Sequence, residues 1–133
     1  MSALPPAPRP CGSCPYRRDV PSGVWSEDEY HKLWRFDGET SEQEPGVFLC
    51  HRQDGRLCAG WVAVHDMDES LGFRLGLSLG LIAPADADEI RDYTTDVPLF
   101  DSGLEAAAHG VRELERPGPS AVRMIRALAR RQA

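Results

Sequence analysis

Four cysteines, Cys11, Cys14, Cys50 and Cys58, constrain this chain of 133 residues more than anything else in it. The pattern is Cys-x2-Cys-x35-Cys-x7-Cys, confined to the first 58 residues. A two-residue gap lets one tight turn present both early sulfurs to the same ion or cluster, with Gly12 easing the turn and Pro15 stiffening its exit. The later pair flanks the turn signal Gln53-Asp-Gly-Arg56, which can fold Cys58 back beside Cys50. Four thiolates complete a tetrahedral zinc site or bind the four irons of a cubane cluster. The spacing leaves both open. Zinc ribbons use two x2 knuckles, whereas the second gap is x7, and a Cys-Pro step accompanies many iron–sulfur ligands. The expected centre is therefore Cys11, Cys14, Cys50 and Cys58 around a [4Fe-4S] cluster or Zn2+.

His51 is a possible substitute ligand, but neighbouring side chains in extended backbone point apart, which favours a place beside the centre or toward solvent. His65 and His109 read as structural, and His31 as a surface residue on a charged helix. Cys11-Gly-Ser-Cys14 also matches a dithiol redox motif. That chemistry needs a strand-to-helix setting whose helix start lowers the first thiol's pKa, and here a proline-rich leader precedes the motif. A dithiol oxidoreductase is accordingly an alternative reading, not the main one. No Ser-His-Asp set, Walker loop or dinucleotide fingerprint is present, so the sequence leans away from an enzyme.

No run approaches the roughly 18 apolar residues of a membrane span, and residues 1–10 lack the apolar core of a secretion signal. The expected location is a reducing cytoplasm, where clustered thiols serve metals more often than disulfides. Net charge is −6, unevenly spread. Residues 1–109 hold 9 Lys/Arg against 19 Asp/Glu, and residues 110–133 hold 6 Arg against 2 Glu. An acidic body argues against wholesale wrapping of nucleic acid. The basic tail keeps nucleic acid or protein contact open through Arg123, Arg126 and Arg130, next to the simpler reading of a solvated helix face.

Residues 1–10 hold four prolines and read as a flexible leader; residues 11–133 read as one domain. Ser26-x-x-Glu29 and Ser102-x-x-Glu105 are capping boxes. They predict helices from about Glu27 to Trp34, with Tyr30, Leu33 and Trp34 facing inward, and from Gly103 to a close near Gly110. Val47-Phe48-Leu49 suggests a brief strand. Residues 69–81 are ambiguous: leucines alternate as in a strand, while Gly72, Gly76 and Gly80 recur as on one helix face. A helix from about Glu69 to Leu79 is expected. Further helices are expected after Pro84, to about Asp92, and from Ser120 to Arg131, the last with Val122, Ile125 and Ala129 inward. Arg17-Arg18 beside the first Cys pair could offset the charge of a tetrathiolate or form a surface pair with Asp19.

Pro10-Cys-Gly-Ser-Cys-Pro-Tyr-Arg-Arg-Asp19, Pro21-Ser-Gly-Val-Trp25, Phe48-Leu-Cys-His51, Cys58-Ala-Gly-Trp61 and Tyr93-Thr-Thr-Asp-Val-Pro-Leu-Phe100 resemble an actinobacterial family of small uncharacterised proteins, over most of residues 10–131. The resemblance implies the helical reading of 69–79 and no reaction. A superficial likeness to the WhiB-like iron–sulfur regulators runs through Cys-x-x-Cys-Pro-x-Arg, although no cysteine follows Cys14 closely and the cysteine order differs. The fold expected is mainly α: a small single domain of short helices and little strand, its N-terminal half stapled by a four-cysteine metal centre. Its expected role is metal binding, with redox sensing or regulation as options. The alternative is a zinc-stapled interaction module working through the C-terminal Arg helix.

Overall fold

The computed structural model describes residues 2–50 and 55–132. Among these the chain is mostly helical, with six α-helices and no strand. Serine caps explain where three helices begin. Ser26 Oγ accepts from Glu29 N at the start of α1 (Glu27–Leu33), whose first turn is acidic and whose last carries His31 and Lys32. Ser70 Oγ accepts from Phe73 N to open α3 (Leu71–Ser78). Ser102 Oγ accepts from Glu105 N to open α5 (Gly103–Val111). Between them lie α2 (Ala59–Val64) and α4 (Ala87–Arg91), and α6 (Pro119–Gln132) ends the chain.

The helical reading of 69–79 holds, with Gly72 and Gly76 buried in α3; Gly80 lies past its end at φ 79° rather than on the helix face. Other expectations shift. Trp34 is 44% exposed, because α1 tightens after Leu33 into a 3-10 turn, Trp34–Phe36. With three residues per turn instead of 3.6, that turn sends Phe36 inward against Phe48 and Trp61 instead. Gly110 does not close α5 but lies within it, buried, where a Cβ would collide with the Tyr30 ring of α1. Helix α6 docks one position earlier in its register than expected. Ala121, Met124, Ile125 and Leu128 pack on Val20, Val24 and Trp25, while Ala129 is exposed and Val122 half-buried. That stripe follows the i, i+3, i+4, i+7 spacing of a single helix face.

The expected strand at 47–49 reduces to an isolated bridge, Leu49 antiparallel to Leu57. The leader also differs from a free extension. Leu4 bridges Arg56 in parallel, Ala3 N donates to Leu81 O (2.8 Å), and Ala3 is 3% exposed. Three extended segments thus lie side by side, with residues 55–58 in the middle. Leu4 N donates to Gly55 O and Leu57 N to Leu4 O on one edge. On the other, Cys50 N donates to Arg56 O and Cys58 N to Phe48 O. Prolines Pro5, Pro6 and Pro8 have no N–H to contribute to such pairing, and it stops at Leu4.

Candidate metal centre

The first cysteine pair lies on a tight turn in which Cys14 N donates to Cys11 O (3.0 Å) and Arg17 N to Cys14 O (3.0 Å). The Trp25 indole N–H donates to Ser13 O (2.8 Å), clamping the turn to the chain that leads into α1. The second pair stands on the two neighbouring segments just described, and α2 starts directly after Cys58. Helix α2 presses its first turn against the Cys11–Cys14 turn. A Cβ on Gly60 would sit 2.7 Å from Cys14 Sγ and 2.7 Å from Tyr16 Cβ, so only glycine admits this approach.

The outcome is convergence. Cys11, Cys14, Cys50 and Cys58 together line one cavity of about 10 Å³, with Ala7, Arg9, Arg56, Leu57 and Ala59. Cys14 and Cys58 are buried, at 1% and 3% exposure, while Cys11 and Cys50 are half-buried. Cys14 Sγ and Cys58 Sγ stand 3.9 Å apart, and Cys11 Sγ lies 3.9 Å from Ser13 Oγ. No disulfide joins these four cysteines among the described residues. Among the described residues no three His, Cys, Asp or Glu side chains stand in ready ligating geometry; the four cysteines share the lining of the cavity. His51 lies outside the described residues.

Crowding makes the Cys11 and Cys14 thiols poor acids. Contact with Cys14, outweighing an opposing contact with Cys50 and aided by burial, raises the Cys11 thiol. Contact with Cys11 favours the Cys14 thiolate, but the Cys58 contact and burial overcome it and lift that thiol well above its ordinary value. A cluster of this kind lacks positive charge at its centre, and a divalent ion reverses the balance by deprotonating the thiols that bind it. Guanidiniums supply part of that charge from outside. Arg9 and Arg56 line the cavity, and Arg56 Nη1 donates to Pro5 O (3.0 Å). Arg17 is bound by Asp19 (2.7 Å) and donates to Pro10 O (3.1 Å). Its pKa is raised first by Asp19 and then by Cys14 and Cys11. Arg18 instead faces Asp101 and Glu105 and donates to Leu99 O (2.7 Å).

The other candidates fall into structural roles. His109 Nε2 meets Val20 O (2.8 Å), and His31 meets Glu27 (3.2 Å) on the surface of α1. His65 meets Trp61 O through Nδ1 (2.9 Å) and Asp37 Oδ1 through Nε2 (2.8 Å). Both partners are hydrogen-bond acceptors, the Trp61 carbonyl and the Asp37 carboxylate. Asp37 also receives the N–H groups of Gly103 (3.0 Å) and Leu104 (2.8 Å), capping α5. Arg123, Arg126 and Arg130 lie exposed on α6 and form no ion pair among the described residues. No helix begins within residues 11–25, so the Cys11-x-x-Cys14 turn lacks the helix start of a dithiol redox site. Sequence reasoning missed Gly60, Arg9 and Arg56. The small residues of Cys58-Ala-Gly-Trp61 were the one readable sign of a close approach.

A small, mostly helical chain with four cysteines gathered beside its shortest elements defines the structural class. The chain belongs to the family of unknown function DUF6283, whose model matches residues 6–131. No curated protein and no solved structure matches it. No helix among the described residues is long and apolar enough to cross a membrane.

Proposed function

We propose that this protein holds one zinc ion in a tetrahedral site formed by Cys11, Cys14, Cys50 and Cys58, as a staple for its N-terminal half. The observation that carries the reading is the lining of a single small cavity by all four cysteines. Sulfurs about 2.3 Å from a shared tetrahedral ion lie about 3.8 Å from one another, and Cys14 and Cys58 stand 3.9 Å apart. A cubane cluster puts a different iron behind each thiolate, so its sulfurs must spread farther, around a larger space than about 10 Å³. That favours zinc over [4Fe-4S]. When bound, the ion supplies charge and cross-linking, and Arg9, Arg56 and Arg17 temper the excess negative charge of four thiolates.

Elemental and acid-labile sulfide analysis of protein purified without oxygen tests the reading. One zinc per chain and no sulfide is expected, with the metal lost in Cys14→Ser. Iron with matching sulfide would replace zinc by a cluster. Metal-free protein in zinc-supplemented preparations would end the proposal. A role as an interaction module has its own support in the exposed Arg123, Arg126 and Arg130 of α6, which suit an acidic partner surface.

A further inference from the structure

The four thiols are not equivalent. Cys14 and Cys58 are buried, with Gly60 and Tyr16 closing over the Cys14 sulfur. Cys11 and Cys50 are half-buried and line the same small cavity. Cys50 also borders a second, wider space, a cleft of about 470 Å³ between α1 and residues 44–50, lined among others by Lys32, Arg35, Phe36 and Phe48. A solute the size of hydrogen peroxide thus has an approach to Cys50 that the buried pair does not offer. Thiol oxidation follows exposure and thiolate character, and a neighbouring thiol resolves the first product.

We infer that Cys11 and Cys50 form a peroxide-sensitive modification site whose oxidation to a disulfide discharges the metal, Cys14 and Cys58 being the protected half. The Cys50 sulfur attacks one peroxide oxygen, the O–O bond breaks, and Cys50 becomes a sulfenic acid as the departing hydroxide takes a proton to form water. The Cys11 thiolate then attacks the sulfenic sulfur, forming the S–S bond and expelling a second hydroxide, protonated by solvent. Two thiolates lose two electrons and one peroxide becomes two waters. With two of its four donors gone, the ion passes to a competing chelator. A thiol reductant cleaves the disulfide and restores the site. The release step rests on the zinc reading above; the order of oxidation rests on the thiol arrangement alone.

The test is a titration of wild-type protein with hydrogen peroxide in the presence of a chromogenic zinc chelator. Aliquots are denatured in iodoacetamide and their non-reduced peptides mapped by fragmentation. The first disulfide should join Cys11 to Cys50, one zinc should appear per disulfide, and Cys14 and Cys58 should be recovered alkylated. A first disulfide containing Cys14 or Cys58, or equal loss of all four thiols, overturns the inference. A Cys11–Cys50 disulfide in protein that never held metal removes the zinc reading and leaves the oxidation order standing. Zinc-loaded protein that oxidises first at Cys11–Cys14 does the reverse.

Discussion

Replacing Gly60 by alanine adds one methyl group at the tightest contact of the centre. Its Cβ would lie 2.7 Å from Cys14 Sγ, 2.7 Å from Tyr16 Cβ and 2.9 Å from Tyr16 Cδ2. None of these neighbours can yield freely: Tyr16 is fully buried and Cys14 is 1% exposed. Overpacking of this kind costs about 1–3 kcal/mol, against which alanine regains about 1 kcal/mol of helix propensity over glycine. A net loss of about 0–2 kcal/mol in unfolding free energy is expected from denaturant melts. If the proposed zinc is bound, displacing the Cys14 sulfur should also weaken it about 10–100-fold, the range found when groups supporting a metal ligand are altered. Chelator competition measures that loss directly. Gly12 provides the control, since a Cβ there meets nothing within 4 Å and its φ is not positive; Gly12→Ala should match wild type in both assays. Equal zinc affinity and stability in Gly60→Ala would refute the claim that α2 is seated against the Cys14 sulfur.

Asp37→Asn should destabilise by about 1–3 kcal/mol near neutrality, since it removes the His65 ion pair and weakens the cap of α5. Burial alone would raise this carboxyl, but His65 and the Gly103 and Leu104 N–H groups outweigh it and hold its pKa low. A depressed carboxylate contributes stability above its unfolded pKa of about 3.9 and loses it as pH falls further. The urea-midpoint gap between wild type and variant should therefore narrow below about pH 4; a constant gap would count against the ion pair. The Tyr16 hydroxyl is buried with no hydrogen-bond partner among the described residues, so Tyr16→Phe should be at least as stable as wild type in thermal melts. Reversing Arg123, Arg126 and Arg130 to Glu should leave the melting curve within about 0.5 kcal/mol and abolish salt-sensitive retention on an acidic column; retained binding would clear α6 of that role.

What the sequence disclosed was local. Ser26 and Ser102 announced their helices because a cap and its partner lie three residues apart. Helix α2 went unread for the opposite reason: Ala59, Gly60, Trp61 and Val62 are all buried, leaving no polar face and hence no periodicity. The leader was misjudged because prolines describe its own backbone and say nothing of Arg56, which pairs with Leu4 from 52 residues away. The inward turn of Phe36 likewise depended on Phe48 and Trp61, partners invisible in a local window.

The cysteines were an exception to that rule, and the reason is physical. Each pair is close in sequence, so a turn between Cys11 and Cys14 and the return of residues 55–58 beside 48–50 are themselves local events. Only one non-local step remains, the docking of those two pieces, and Gly60 and Tyr16 form the contact surface that accomplishes it. Among the described residues, five of the six helices lie after Cys58, whereas the first 58 residues hold α1, two 3-10 turns and isolated bridges. Hydrogen-bonded secondary structure is therefore scarcest where the thiols gather. A chain of this length can bury a core without help, and both halves contribute to it here: Tyr16, Tyr30, Leu33 and Phe48 share one buried cluster with Trp61, Phe73, Ile82 and Ile90. The N-terminal part is joined mainly through extended segments that share few backbone bonds, and a bound ion linking Cys11, Cys14, Cys50 and Cys58 would tie those segments together where the backbone does not.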